Sequence, residues 1–256
     1  MRIATWNLKQ AVAPKKPLPD LWEWAEKTID PDIIVLTEAR VPKTGLPSGW
    51  SAHFREGGIG PRRSWGTIVA GRGLTLERVT YVTNGRKRYP LDNYFPGTMI
   101  VTDVIKNGKL WATVVGMHSL CIDPQGEKGY DGSHTTQQIL DDLDLLLRSG
   151  RDRIIAAGDL NLHPDNCSYD FQDIGLVDLV KATSKNHPDL PNAIGGSLLW
   201  THKNGNGPNS AVQQIDYIFA TPNLIRRTPN VYGGVSSFSD AWTMSDHAPV
   251  VAEIDY

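Results

Sequence analysis

Eight polar side chains lie where short apolar stretches of the sequence begin or end. They are carboxylates, imidazoles and amides: Asn7, Glu38, His118, Asp159, Asn161, Asp216, Asp246 and His247. An unpaired charge is costly inside a protein core, so residues of these types at such positions are candidates for a site.

Three of these side chains offer oxygen ligands. Asn7, Glu38 and Asp246 suit a hard divalent cation, whereas the sequence shows no Cys or His cluster with the spacing of a zinc site. We therefore predict Mg²⁺ as the cofactor, with Mn²⁺ or Ca²⁺ as alternatives.

The remaining polar residues suit proton transfer. Asp216 can orient His247 through a carboxylate–imidazole hydrogen bond, and Asp159 and Asn161 are close enough in sequence to face one reacting group. A hard cation with two histidines, a carboxylate base and an amide donor suits hydrolysis of a phosphate ester. The cation offsets the phosphate charge, water attacks, and the acid–base groups move protons.

Short apolar segments must position these residues. Eight segments rich in β-branched residues predict strands: residues 2–6, 32–37, 66–70, 98–104, 110–117, 153–157, 216–220 and 249–254. Helices are predicted at residues 21–28, with Asp20 as the N-cap, and at residues 135–148, which carry an apolar stripe.

This inventory predicts an α/β fold with two mixed sheets packed face to face and helices on the outer faces. Some polar residues follow strands and others precede them. If the two kinds of strand run antiparallel, all of these side chains meet at one edge. No internal repeat or linker is visible, so we expect a single domain over residues 1–256.

Composition narrows the function classes. The 26 Lys and Arg against 28 Asp and Glu give a formal net charge of −2. The overall charge therefore gives no reason to expect nucleic-acid binding. Two cysteines exclude a disulfide framework. No apolar run approaches the roughly 18 residues of a membrane span. The N-terminus lacks a secretory pattern, so we expect a cytoplasmic location.

Six short motifs together resemble the endonuclease/exonuclease/phosphatase superfamily, which includes deoxyribonuclease I and exonuclease III. They are Thr-Trp-Asn at 5–7, Ile-Val-Leu-Thr-Glu at 34–38, Gly-Met-His-Ser-Leu at 116–120, Gly-Asp-Leu-Asn at 158–161, Ile-Asp-Tyr-Ile at 215–218 and Ser-Asp-His-Ala-Pro-Val at 245–250. Each motif alone is equally well explained as ordinary turn residues, but the occurrence of all six motifs in the family's order is specific to the family. The resemblance implies a four-layer α/β sandwich and a Mg²⁺-dependent phosphoesterase.

The same resemblance implies roles for the metal-site residues. Glu38 resembles the principal metal carboxylate, and Asn7 and Asp246 resemble residues that approach the metal directly or through water.

For the other site residues, the resemblance implies roles in acid–base chemistry. Asp159 positions or deprotonates the attacking water, and Asn161 donates to the phosphate in the transition state. His247 with Asp216 matches the family dyad, as base or as phosphate stabiliser, and His118 matches a general acid.

Substrate contacts are predicted from Trp200, His202, Arg86 and Arg88, which lie beside motifs or in basic clusters. Residues 202–214 are predicted as a loop bordering the substrate groove. The basic clusters at 62–63, 86–88 and 226–227 either grip a phosphate backbone or are solvated surface charges. The sequence does not identify the carboxylate that orients His118; Glu77 is the one residue named for this role.

We therefore expect a phosphodiester hydrolase, with a nuclease acting on DNA favoured. The expected protein is a monomer with nucleic acid as substrate and no protein partner. The alternative is a phosphomonoesterase or phospholipase-type enzyme acting on inositol phosphates, nucleotides or sphingomyelin. A non-catalytic binding homologue is disfavoured, because such proteins lose site residues that this sequence retains.

Overall fold

The computed structural model describes residues 1–9, 18–57, 65–92, 95, 97–129, 131–183, 197–205 and 210–255. In chain order its strands are β1 (Arg2–Asn7), β2 (Ile33–Ala39), β3 (Trp50–Gly57), β4 (Trp65–Arg72), β5 (Thr75–Val79), β6 (Tyr81–Asn84), β7 (Lys87–Pro90), β8 (Met99–Lys106), β9 (Lys109–His118), β10 (Ile154–Asp159), β11 (Val177–Asp178), β12 (His202–Asn204), β13 (Ala211–Gln213), β14 (Asp216–Ala220), β15 (Asn230–Gly233) and β16 (Val250–Glu253). The α-helices are α1 (Leu18–Trp24), α2 (Ser133–Arg148), α3 (Pro164–Asp173), α4 (Leu179–Thr183) and α5 (Gly234–Ser237).

Two six-stranded mixed sheets form the body of the protein. The first has the order β15-β16-β1-β2-β4-β3, and the second has the order β11-β14-β10-β9-β8-β5. Two small antiparallel pairs, β6 with β7 and β12 with β13, lie outside these sheets.

The strand alternation divides the apolar residues into three layers. One cluster takes alternate residues from both sheets and forms the core between them: it includes Ile3, Ile33, Val35, Ile155, Ala157, Ile218 and Val250. The outer face of the first sheet packs around Leu21 and Trp22 of α1. The outer face of the second sheet packs on α2 and α3 through Leu143, Leu146 and Phe171. The predicted four-layer α/β sandwich is confirmed.

All eight predicted strands are present, but the sequence pattern missed several edge strands. β3 and β5 lie at sheet edges and are half-exposed or exposed along most of their length. Edge strands carry polar residues on both faces, so their alternation is weak.

The first helix differs from its prediction. Asp20 lies inside α1, which begins at Leu18, so Asp20 is not the N-cap. After Trp24 the chain continues as a π-helical turn over Ala25–Ile29. Asp30 ends the turn in a left-handed conformation, with φ 50°, and its N–H donates to the Ala25 carbonyl at 3.0 Å.

The predicted loop at residues 202–214 is also wrong, because β12 and β13 pair there as an antiparallel hairpin. The pairs include His202 with Gln213 and Lys203 with Val212, while residues 206–209 lie outside the described residues. The sequence of this segment is rich in Gly and Asn, which hides the strands. The hairpin is anchored from outside: the Lys203 N–H donates to the Asp246 carbonyl at 2.9 Å.

Both cysteines, Cys121 and Cys167, are free thiols. Among the described residues, no helix has the length and apolar character needed to cross a bilayer.

Candidate active site

Three site residues form a row across the second sheet. In that sheet, β10 runs parallel to β9 and antiparallel to β14, and the register places Asp159 beside both His118 and Asp216. Side chains opposite one another in neighbouring strands face the same side of a sheet. Ala157 and Ile218, two residues away on their strands, lie in the core between the sheets. The row therefore lies at the open end of that core.

The first sheet brings its own site residues to the same edge. β1 is parallel to β2 and antiparallel to β16, so Asn7 at the end of β1 lies near the segment that precedes β16. The Asn7 side chain crosses between the sheets: its Nδ2 donates to Asp159 Oδ2 at 2.8 Å. The two kinds of strand end thus converge on one edge, as the sequence pattern predicts.

A β-bulge positions Glu38. The pairing of β2 with β4 shifts between Leu36 and Ala39, and both of these residues pack on the outer face. Glu38 lies within this irregularity with a φ of 45°. A regular strand would place Glu38 on the same face as Leu36, so the bulge re-aims it toward the site.

The carboxylate beside His118 is that of Glu38. Glu38 Oε1 lies 3.7 Å from His118 Nε2. The choice of Glu77 for this role is wrong, because Glu77 lies on the edge strand β5, opposite Asp103. Burial lowers the pKa of His118, and the charge of Glu38 only partly opposes this, so the ring is neutral near pH 7.

His247 and Asp216 form a buried dyad. His247 Nδ1 lies 2.8 Å from Asp216 Oδ2, and His247 Nε2 lies 3.8 Å from Asp159 Oδ2. The loop that carries His247 is fixed by side chains: Trp6 Nε1 donates to the His247 carbonyl at 2.9 Å. Ser245 Oγ donates to the Asn7 carbonyl at 2.7 Å and accepts from the His247 N–H at 3.1 Å.

The dyad's environment reverses the usual effect of burial on His247. Burial alone would lower its pKa, but the charge and hydrogen bond of Asp216, with the charges of Asp159 and Asp246, raise the pKa to about 10. For Asp159, burial and the neighbouring Asp216 raise the pKa to about 7, against the opposing charge of His247. At neutral pH the site thus holds a charged imidazole beside a carboxyl group that titrates.

Asp159 and Asn161 are held by the local backbone. The Asn161 N–H donates to Asp159 Oδ1 at 2.8 Å, and Asn161 Nδ2 donates to the Ser119 carbonyl at 2.8 Å. Asn161 has a φ of 51°, a conformation that Asn tolerates better than most residues. Gly158 is required at its position, because a Cβ atom there would lie 1.7 Å from the Met117 carbonyl oxygen.

The structure adds Lys9, which the sequence reading missed. Its Nζ forms an ion pair with Asp246 Oδ2, and its N–H donates to Asn7 Oδ1 at 2.8 Å. Burial alone would raise the pKa of Asp246, but His247 and Lys9 lower it below its usual value. The sequence signal was a lysine two residues after Asn7, which by itself is indistinguishable from a surface charge.

His202 lies beside the dyad. Its ring centroid is 4.5 Å from that of His247, and its Nε2 lies 3.9 Å from Asp246 Oδ2. Gln213 Nε2 lies 2.9 Å from His202 Nδ1 across the hairpin. Burial and the charge of His247 lower the pKa of His202 to about 4.

The sequence of the chain matches a protein-family profile over nearly its whole length. The Endonuclease/Exonuclease/phosphatase family profile matches residues 4–247. The chain belongs to this family. The expectation of a phosphoric ester hydrolase is thereby confirmed at the level of the family.

Solved structures of similar fold include an AP endonuclease from Archaeoglobus fulgidus, with a TM-score of 0.67, 18% identity and 100% of each chain covered. The 3′-5′ exonuclease NExo from Neisseria meningitidis has a TM-score of 0.66 at 17% identity, and the 3′ phosphatase NExo from Neisseria bound to a product DNA hairpin has 0.65 at 16%; coverage is again 100% of each chain. At these identities the similarity establishes the fold. No curated protein sequence matches this family member.

The donor set of this family member fits a hard divalent cation. Four carboxylates, those of Glu38, Asp159, Asp216 and Asp246, belong to the cluster, and Lys9 and charged His247 offset two of these charges. A divalent ion would offset the rest. The partly exposed carboxylates are the accessible ligands: the side chains of Glu38 and Asp246 are 21% and 24% exposed, against 1% for Asp159.

The residues predicted to contact substrate do not all lie at the site in this phosphoesterase. Trp200 is half-buried near the hairpin, and its carbonyl accepts from the Val235 N–H at 3.0 Å. Arg86 and Arg88 belong to the β6–β7 hairpin, where the Arg88 guanidinium lies 3.9 Å from the centroid of the Tyr81 ring. Among the described residues, no hydrogen bond or ion pair joins either arginine to the site residues.

Two other basic clusters were predicted as candidates for phosphate contacts. Arg226 and Arg227 follow a short 3₁₀ turn, and Arg227 Nε lies 3.8 Å from Asp255 Oδ2 on the exposed surface. Arg62 and Arg63 lie outside the described residues.

Proposed function

We propose that this family member is a divalent-metal-dependent hydrolase of phosphodiester bonds in nucleic acid, with DNA as the favoured substrate. The observation that carries the proposal is a chain of contacts across both sheets, from Asn7 through Asp159 to His247 and Asp216. It combines a buried carboxylate, a charged imidazole and an amide at one edge of the sandwich. Such a combination provides acid–base catalysis and stabilises negative charge on phosphate.

Asp159 is the proposed base that positions and deprotonates water. Its two oxygens accept from Asn7 Nδ2 and the Asn161 N–H, so the carboxyl group is fixed in direction. The raised pKa of about 7 suits proton transfer near neutral pH. Asn161 lies beside it as the proposed donor to the phosphate.

His247 is proposed to stabilise the phosphate charge. With a pKa of about 10 in the metal-free protein, its ring is charged at neutral pH, and Asp216 holds Nδ1 so that Nε2 remains for the substrate. This favours the phosphate-stabilising role over the role of base. His118 is the proposed general acid for the leaving group; its ring must first take up a proton, which the charge of Glu38 favours and burial opposes.

Glu38, Asp246 and Asn7 are the residues that would hold Mg²⁺, with Mn²⁺ or Ca²⁺ as alternatives. When bound, the ion offsets phosphate charge and activates water. The protein's contribution is the placement of these oxygens at the same edge as Asp159. Lys9 provides part of the counter-charge through its ion pair with Asp246.

The comparisons support nucleic acid as the substrate class. An AP endonuclease and a protein bound to a DNA hairpin share this fold over their full length. One comparison favours a second candidate function: NExo appears both as a 3′-5′ exonuclease and as a 3′ phosphatase. A terminal phosphomonoester is therefore the alternative substrate, ahead of inositol phosphates, nucleotides or sphingomyelin.

A metal-dependence assay on a substrate panel tests the proposal. The panel contains supercoiled plasmid, abasic duplex, 3′-phosphorylated duplex, single-stranded RNA, inositol phosphates and sphingomyelin. We expect cleavage of DNA with Mg²⁺ or Mn²⁺, loss in EDTA and recovery on adding the ion. Undiminished turnover in chelator would refute the metal role, and activity confined to a small phosphoester would refute the nuclease.

We also propose that residues 1–256 form one domain that acts as a monomer. Sedimentation at assay concentration should give the mass of a single chain, and a stable dimer would contradict this.

A further inference from the structure

A second set of potential ligands lies beside the proposed Mg²⁺ residues and has a different chemistry. His202, Asp246 and His247 each offer one donor atom, and these atoms lie within 4.8 Å of one another. Two imidazoles with one carboxylate suit Zn²⁺ and related transition metals better than Mg²⁺. The hairpin that carries His202 is joined to the His247 segment by a backbone bridge between the two histidines.

Both histidines have one ring nitrogen held by a neighbouring side chain. His247 Nδ1 lies 2.8 Å from Asp216 Oδ2, and His202 Nδ1 lies 2.9 Å from Gln213 Nε2. Binding through Nε2 requires that the remaining ring proton lie on Nδ1. In His247, Asp216 accepts that proton and the ion displaces the proton on Nε2, whereas the Gln213 amide must turn its Oε1 toward His202 Nδ1. His202 Nε2 lies 3.9 Å from Asp246 Oδ2. Metal-binding histidines usually have such an outer partner, which fixes the ring and raises its affinity.

We propose that His202, Asp246 and His247 form a binding site for a transition-metal ion of the Zn²⁺ class. Bonds of about 2.0–2.2 Å to nitrogen and oxygen require tetrahedral ligands about 3.4 Å apart. The donor atoms lie within 4.8 Å of one another, so each pair closes by at most about 1.4 Å when the ion binds. Lys9 leaves Asp246 in the same step, which its partly exposed side chain allows.

Occupation of this site blocks the hydrolase. The ion takes Nε2 of His247, the nitrogen assigned above to the phosphate, and it takes a carboxylate assigned to Mg²⁺. This consequence rests on the proposed function, whereas the binding itself does not. Zn²⁺ is therefore expected to inhibit turnover supported by Mg²⁺, even at saturating Mg²⁺.

Optical titration of the metal-free protein with Co²⁺ tests the binding directly. We expect one ion per chain and intense visible d–d bands of a four-coordinate site, with competitive loss of the bands on adding Zn²⁺ but not Mg²⁺. Cys121 is a free thiol three residues after His118, and as a ligand it would give a near-ultraviolet thiolate-to-cobalt band. That band should be absent.

Two variants and a control assign the site. His202→Asn should lose the bands, and Gln213→Ala should weaken Co²⁺ binding by about 10–100-fold, the usual effect of removing an outer partner. His134→Asn is the matched control, because His134 lies at the start of α2 beside Phe95 and Gln138, and it should bind as the wild type does.

Unaltered bands in His202→Asn, or no bands in the wild type, would overturn the proposed site. The activity arm compares inhibition by Zn²⁺ in wild type and His202→Asn, each relative to its own rate without zinc, and the variant should be resistant. A protein that binds Co²⁺ as described but cleaves no substrate with Mg²⁺ would refute the proposed function and leave the transition-metal site standing.

Discussion

Both ends of the sandwich carry carboxylates, but the groups that pair with these carboxylates differ between the two ends. At the end opposite the site, Asp103 pairs with Arg151 and accepts from Thr113 Oγ1, and Arg2 pairs with Asp30 and Glu253. At the site end, Asp159 accepts from an amide and a backbone N–H, and Asp216 bonds an imidazole.

This difference separates an end whose carboxylates stabilise the fold from an end whose carboxylates are available for catalysis and metal binding. An arginine holds a permanent charge against its carboxylate, so the pair is neutral and has no need of a further ion. Amide and backbone donors orient a carboxylate without neutralising it. The site end therefore keeps negative charge available for a cation, and it keeps a carboxyl group whose pKa lies near 7.

The largest expected effect comes from the same substitution at the two ends. Asp159→Asn should lower kcat by about 10²–10⁴, the range for an acid–base group. Asp103→Asn should leave kcat unchanged and lower the free energy of unfolding by about 1 kcal/mol, since its ion pair is partly exposed. Steady-state kinetics and urea unfolding measure both. Equal losses of kcat would erase the distinction between the ends.

Metal affinity gives the second test of the comparison. Glu38→Gln should weaken Mg²⁺ binding by about 100-fold or more, since removal of even an outer partner changes affinity by about 10–100-fold. Glu253→Gln removes a carboxylate of the opposite end, where it pairs with Arg2, and should leave the affinity unchanged. Isothermal titration calorimetry measures both, and wild-type affinity in Glu38→Gln would reject its assignment as a ligand.

The pH dependence of stability sharpens the comparison further. Folding raises the pKa of His247 from 6.5 to about 10. In the metal-free protein, the contribution of His247 to the free energy of unfolding is therefore fully present below pH 6.5 and is lost as the pH rises from 6.5 to about 10. Asp216→Asn should lower this pKa and flatten that loss, while Asp103→Asn should not.

Titration of the imidazole by NMR and urea unfolding at several pH values between about 6 and 10 check this prediction. A pKa of His247 that is unchanged in Asp216→Asn would show that the dyad does not set its charge.

The smallest expected effect concerns Lys9. In Lys9→Met, Mg²⁺ should bind about fivefold more tightly, because the loss of a nearby cation removes repulsion worth about 1 kcal/mol. Lys27→Met is the control, since Lys27 pairs with the exposed Glu23 away from the site. Weaker Mg²⁺ binding in Lys9→Met would mean that Lys9 instead holds Asp246 in place for the ion.

Part of this organisation was predictable from local pattern. The buried strands alternate cleanly or are apolar throughout, and polar residues stand at their ends, so the convergence of Asp159, Asp216 and His247 followed from strand direction. The sequence pattern did not predict the edge strands β3 and β5 or the β12–β13 hairpin, because their polar faces or turn-rich composition leave no periodic signal.

The position of Glu38 illustrates why local pattern is insufficient. Its motif identifies it as a candidate ligand, but strict alternation would aim it at the outer face with Leu36. The bulge against β4 reverses this, and it depends on pairing with residues about thirty positions away.

The sequence by itself determined which residue types lie at the ends of which strands. From these followed the family, the layered fold, and the carboxylates, imidazoles and amides that are available to the site. The tertiary structure alone decided which of those groups touch: Lys9 meets Asp246 across 237 positions of sequence, and Asn7 meets Asp159 across 152. Strand periodicity is a short-range property that one segment can encode. The distance between two side chains on different sheets depends on packing, bulges and loop anchors contributed by the whole chain.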